Sequence, residues 1–147
     1  LKEPGGLEVA GVPIDLSKIK VPTYFISTIE DHIAPWKSTY SGARHFGGNV
    51  RFVLGGSGHI AGIVNPPAAN KYGYWTTAAG KLPGAAVEFF DGAEQHEGSC
   101  WTDWQAWLIA QDSATVPARD PLKGTLKVLE DAPGSFVKAR LDAKKAA

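Results

Sequence analysis

The sequence predicts an α/β fold in which parallel strands are joined by a crossover helix, and three observations carry that expectation. Two runs rich in β-branched and aromatic residues, 21–27 and 49–54, have the composition of strands buried on both faces. The stretch between them opens on Pro35 and closes on the Gly47-Gly48 pair, which is the punctuation of a short helix. Glycines at 55, 56 and 58 then carry the chain out of the second run to a single histidine, His59.

Taken in order, the chain begins with the Pro/Gly-rich "LKEPGGLEVAG" and a short polar connector, and the first strand follows. Glu30 and Asp31 come at its end. Helix and second strand succeed it, and a strand, helix and strand in this order make parallel neighbours whose C-terminal ends share one sheet edge. Asp31 and His59 are therefore expected side by side. Residues 65–84 read as a loop broken by Pro and Gly. Trp101, Trp104, Trp107 and Leu108 recur at helical spacing, with Ser99 or Thr102 as the cap, and their aromatic face is expected to be buried core. One more short strand is expected at 135–138. The basic "KARLDAKK" that follows reads as a solvated tail or an interaction tail.

Composition sets the bounds. The 147 residues suit one domain or part of one, and a 44% hydrophobic content is that of a globular chain. Fifteen basic residues balance fifteen acidic ones, so the electrostatic footprint of a nucleic-acid-binding protein is missing. A single cysteine forms neither an intrachain disulfide nor a CxxC motif, which points to a reducing compartment, the cytoplasm. No apolar run has the roughly 20 residues of a membrane span, and the opening residues lack the pattern of a signal peptide. The chain contains no methionine, and we read it as a piece of a longer product.

A histidine acts as a general base when its second ring nitrogen donates to a carboxylate that fixes its tautomer and stabilises the imidazolium. Asp31 and His59 suit those parts, and the acid precedes the base in the chain as in the α/β-hydrolase plan. The plainer alternative is a carboxylate capping a helix and a histidine bonded within a turn. Neither nucleophile candidate fits. Ser57 stands in "GGSGH", which breaks the GxSxG pattern two residues from the base, and Cys100 in "EGSCWTDW" has no elbow around it. A nucleophile must then lie upstream of Leu1, or the chain does no covalent chemistry. His32, His59, His96, Asp31 and Glu97 lack metal-ligand spacing, so no metal is expected. His32 and Trp36 are candidate site-edge residues, and His45 is expected to face solvent from the helix.

Three stretches, "EDHIAPW", "RFVLGGSGHIAGIVNPPAANKYGYW" and "GSCWTDWQAWL", resemble the C-terminal part of the polyhydroxyalkanoate synthases, most closely the class I type, and the likeness extends to "EDAPGSFVKAR". It implies an α/β-hydrolase-like catalytic domain with a Cys, Asp and His triad. Residues 1–147 would form its C-terminal part, with the nucleophile-bearing N-terminal part absent. By motif the acid is Asp31 and the base is His59. The implied substrate is an (R)-3-hydroxyacyl-CoA thioester, with no other cofactor, and the implied setting is a homodimeric full-length enzyme at the surface of polyester granules in the cytoplasm. Asp31 either orients His59 or helps deprotonate the attacking 3-hydroxyl. The fragment alone would be inactive. One departure is local: Cys100 stands where relatives carry the first of two paired tryptophans. The other reading is a non-catalytic module that attaches to granules or to the full enzyme through Tyr72, Tyr74, Trp75 and the tryptophan helix. Two isolated parallel strands would also leave an open apolar edge, so the chain is expected to self-associate.

Overall fold

The computed structural model describes residues 1–78 and 82–140. The chain divides into two compact units, the first Leu1–Ser113 and the second from Ala114 onward.

The first unit opens with a small hairpin, β1 (Glu8–Val9) and β2 (Val12–Pro13), turning through Ala10 and Gly11, both at positive φ. Its core is a four-stranded mixed sheet in the order β3 (Thr23–Thr28), β4 (Val50–Gly55), β5 (Gly73–Thr76) and β6 (Glu94–Glu97). β3 and β4 are parallel, in register from Thr23 opposite Val50 to Thr28 opposite Gly55. The first strand starts two residues later than expected because Pro22 offers no N–H and pairing begins with the Thr23 N–H on the Asn49 carbonyl. β5 returns antiparallel along β4, and β6 antiparallel along β5.

This pairing corrects two expectations. Residues 65–84 are not a continuous loop, since they contain β5. The open apolar edge expected of the two parallel strands persists at β3 and is closed on the β4 side only, where the sheet ends in β6, Glu-Gln-His-Glu, whose charges discourage further pairing. Both strands are four residues long, and the alternation that marks a strand is too brief to read in "GYWT" and missing from "EQHE". Among the described residues β3 is paired on one side only.

Period-two alternation splits β4 between the two faces of the sheet. Phe52 and Leu54 face α1 (Trp36–Ala43) and α2 (Ala86–Asp91), where they are buried with Tyr40, Ala43 and Phe89. Three of these rings lock together: Tyr40 to Phe52 at 5.0 Å, Phe52 to Phe89 at 5.2 Å and Tyr40 to Phe89 at 5.2 Å between centroids. The Tyr40 hydroxyl donates to the Pro83 carbonyl at 2.8 Å, so the phenol is buried without an orphaned donor. α1 has Pro35 at its N-cap as expected but ends at Ala43, short of the glycine pair. Those glycines serve close approach instead: a Cβ on Gly47 would lie 1.9 Å from the Ser17 carbonyl oxygen, and one on Gly48 2.6 Å from that of Lys20. His45 lies in the turn after the helix and is half-buried rather than solvent-facing.

The opposite face carries Val53, Tyr74 and Cys100, with Tyr24 and Ile26 packed beside them, and α3 (Trp101–Gln111) lies on that side. No residue of α3 is buried, which corrects the expectation of a core tryptophan face. Trp101 is 38% and Trp104 47% exposed. Attachment comes mainly from a polar tie: Arg51 of β4 donates twice to the Asp103 carboxylate, through Nε at 2.8 Å and through Nη2, and the Tyr24 hydroxyl donates to the same group at 2.8 Å. Trp107 adds an edge-to-face contact with Tyr24 at 5.4 Å. Burial raises the Asp103 pKa, but Arg51 and Tyr24 outweigh it and hold the group below its ordinary value. At the start of the helix the Ser99 hydroxyl accepts from the Trp101 N–H at 3.1 Å, and Cys100 occupies the cap position.

In the second unit, residues 136–138 form a short 3-10 helix rather than a strand. Gly134 at φ +75° and Ser135 in right-handed helical geometry set that turn. A second 3-10 turn at Pro121–Lys123 is capped by the Asp120 carboxylate, which accepts from the Leu122 N–H at 3.0 Å. Of the basic tail, residues 141–145 lie outside the described residues.

Candidate active site

The parallel pair β3 and β4 delivers two loops to one edge of the sheet. They are knitted there by backbone bonds: the Ile29 N–H reaches the Gly55 carbonyl at 2.9 Å and the Glu30 N–H the Ser57 carbonyl at 3.1 Å. Ser57 takes φ +65° to present that carbonyl, a left-handed conformation a serine adopts at some cost. Its side chain has no part in the pair described next.

Asp31 and His59 meet across this edge. Nδ1 of His59 donates to Oδ2 of Asp31 at 2.7 Å, while Oδ1 of Asp31 accepts the backbone N–H groups of Ile33 at 2.9 Å and Ala34 at 2.8 Å. The carboxylate is thus held from three directions. Its side chain is only 6% exposed, against 44% for the imidazole. The Ala34 N–H and the His59 ring lower the Asp31 pKa to about 2, so the group stays ionised at any physiological pH. With Nδ1 committed, the other nitrogen, Nε2, is unpartnered among the described residues and is free to accept a proton.

The turn bearing His59 is packed tightly. Gly62 returns beneath it so closely that a Cβ there would lie 2.0 Å from the Gly56 carbonyl oxygen and 2.5 Å from Cγ2 of Thr28. Thr28 itself is fully buried at the end of β3, and its hydroxyl finds no partner among the described residues. Sequence reasoning missed both. The glycine in "GHIAG" was visible, but nothing local showed that the chain folds back on itself there.

The remaining candidates stand apart. His32 is exposed beside Asp31 and makes no hydrogen bond among the described residues. Trp36 turns into the aromatic cluster, with its ring 6.5 Å from Phe89 and 6.1 Å from Phe90. His96 lies on β6, stacked on Tyr74 at 4.8 Å, with Nε2 2.9 Å from the Thr76 hydroxyl. Cys100 is 3% exposed in the cluster with Val53 and Tyr74, and burial pushes its thiol pKa up, opposite to what a nucleophile requires. Among the described residues no group of three or more His, Cys, Asp or Glu side chains could hold a metal ion, and no helix is long and apolar enough to cross a membrane.

An α/β protein presenting a carboxylate–imidazole pair at the carboxyl ends of parallel strands is the class this fold and geometry define. Over nearly all its length the chain is a homologue of the poly(3-hydroxyalkanoate) polymerases. It is 47% identical over 142 residues to the poly(3-hydroxyalkanoate) polymerase subunit PhaC of Cupriavidus necator, covering 95% of this chain and 24% of that protein. It is 48% identical over 137 residues to the PhaC subunit of Rhizobium meliloti, covering 92% and 22%, and 39% identical over 141 residues to poly(3-hydroxyalkanoate) polymerase 1 of Ectopseudomonas oleovorans, covering 95% and 25%. The chain therefore spans about a quarter of the length of the curated relatives it matches. No family model matches it.

Proposed function

We propose that this chain supplies the acid and the base of a polyester polymerase with an α/β-hydrolase-like catalytic domain, one that transfers (R)-3-hydroxyacyl groups from CoA to a growing chain. Residues 1–147 are read as the C-terminal part of that domain. The observation that carries the reading is the 2.7 Å bond from His59 to Asp31 in a chain 47% identical to a polymerase subunit.

His59 takes the proton of a cysteine thiol at Nε2, and that cysteine belongs to a segment other than this chain, because Cys100 is buried away from the pair. The thiolate attacks the thioester carbonyl, the C–S bond to CoA breaks, and the imidazolium returns its proton to the departing thiolate. His59 then takes the proton of an incoming 3-hydroxyl, whose oxygen attacks the acyl enzyme; the C–S bond to the cysteine breaks, and the imidazolium returns the proton to the freed thiolate. Asp31 is read as orienting His59 rather than activating that hydroxyl. Two observations support this choice: its side chain is 6% exposed with both oxygens engaged, and a carboxylate with a pKa of about 2 is a poor base. No cofactor is needed beyond the CoA thioester. The whole enzyme is proposed to work as a homodimer at granule surfaces in the cytoplasm.

The test uses a chimera in which this chain replaces the matching segment of the Cupriavidus necator relative. Asp31→Asn is expected to slow the first release of CoA by roughly 10⁴, as loss of a triad carboxylate does, because the wrong tautomer is then favoured. First release at the parent rate with slow elongation would assign Asp31 to the hydroxyl step. Parent rates in both would end the proposal. A second reading, attachment to granules without catalysis, loses Tyr74, which is buried, and Trp75, which packs against the core, from its expected aromatic surface, but the exposed Tyr72 and the exposed Trp104, Leu108 and Ile109 of α3 support it. Pelleting of the chain with polyester granules, unchanged by Asp31→Asn, would favour it.

A further inference from the structure

The His59 turn is anchored on its near side by the sheet, through Gly56 N–H to the Gly73 carbonyl at 2.7 Å and Glu30 N–H to the Ser57 carbonyl at 3.1 Å. Beyond His59 the chain winds through one compact turn, with the Gly62 N–H on the Gly58 carbonyl at 3.2 Å and the Val64 N–H on the Ile60 carbonyl at 2.8 Å. At the end of that turn the Ile63 carbonyl accepts a bond from outside it: the indole N–H of Trp101, at 2.7 Å and 38 positions along the chain.

We propose that Trp101 is a positioning residue for His59, holding the far side of its turn through the Ile63 carbonyl. The proposal rests on the reading of His59 as the base. Trp101 is itself well fixed, since α3 is tied two residues later to both parallel strands through Asp103, Arg51 and Tyr24. A continuous path therefore runs from the sheet through Asp103 and the first turn of α3 to the indole and the histidine turn. His59 needs such support: its side chain is 44% exposed and makes one hydrogen bond, to Asp31, so backbone placement sets where the ring sits. Cys100 does not compete for this arrangement, because its side chain lies in the cluster with Val53 and Tyr74 while Trp101 reaches the turn.

Proton NMR of the 147-residue chain tests the inference without any turnover. The proton shared by His59 and Asp31 should resonate far downfield and exchange slowly with water. In Trp101→Phe, which keeps an aromatic ring but loses the donor, its exchange should accelerate about fivefold, the effect of one lost hydrogen bond on a local opening equilibrium. Trp104→Phe, an exposed ring on the same helix, should change it less than twofold. Equal exchange in the two variants would overturn the inference. Should Trp101→Phe fail to fold, the wild-type chain decides: its Trp101 indole N–H should exchange several-fold more slowly than that of Trp104, and equal rates would overturn the assignment. Failure here leaves the polymerase reading standing. Faster exchange in Trp101→Phe, combined with full activity of the Asp31→Asn chimera, would do the reverse.

Discussion

Replacing Gly62 with alanine should damage the Asp31–His59 pair although residue 62 touches neither side chain. The added Cβ would lie 2.0 Å from the Gly56 carbonyl oxygen, and ordinary contact begins at about 3.4 Å, so backbone must open by about 1.4 Å. Thr28 blocks the other direction, with its Cγ2 2.5 Å from the same point. The segment free to yield is the exposed turn, which carries His59. If the full displacement reaches the ring, the 2.7 Å bond stretches to about 4.1 Å and is lost. Overpacking at a site with backbone on one side costs about 2–3 kcal/mol, or roughly 8–15 °C in Tm for a unit of this size. Thermal unfolding by circular dichroism gives the first number, and loss of the downfield His59 proton gives the second. A Gly62→Ala chain with unchanged Tm and an intact downfield signal would refute the reasoning, because it would show that the turn adapts without moving His59.

Further outcomes follow from other parts of the molecule. Because the folded-state pKa of Asp31 is lowered to about 2, its contribution is fully present above the unfolded carboxylate value near 3.9 and is lost as pH falls toward 2; urea midpoints should drop more steeply over that window in the parent than in Asp31→Asn. Asp103→Ala leaves Arg51 and the Tyr24 hydroxyl without their acceptor and should cost about 1–3 kcal/mol by chemical denaturation, with Tyr24→Phe costing less. The one-sided pairing of β3 should make the isolated chain associate at rising concentration, and a single monomeric sedimentation boundary throughout would show that its edge is protected.

The parallel strands and the meeting of Asp31 with His59 were legible because each depends on local signals: β-branched runs, a Pro start and a glycine exit. What escaped reading depends on partners. β6 is a strand because β5 lies beside it, and nothing in Glu-Gln-His-Glu says so. The tryptophan helix has apolar residues on every side, so periodicity could not choose its inner face. That choice falls to Asp103 and Trp107, four positions apart and aimed at Arg51 and Tyr24. A charge, not a hydrophobic stripe, decides how the helix lies. Residues 135–138 have strand-like composition, but a strand also needs an unpaired neighbour, and the geometry of Ser135 bends the chain away first.

The two coverings of the sheet are held by unlike forces, and that difference makes the molecule readable from outside. The α1 and α2 side is sealed by interlocked rings, whereas α3 is held mainly by polar bonds, from Arg51 and Tyr24 to Asp103 and from Trp101 to the Ile63 carbonyl, with one aromatic edge at Trp107 and Cys100 buried at its cap. Lifting α3 would uncover the cluster that holds Cys100, the only sulfur in the chain. The speed at which a thiol-reactive dye reaches Cys100 is thus a stopwatch for that one movement, built into the protein and needing no added label.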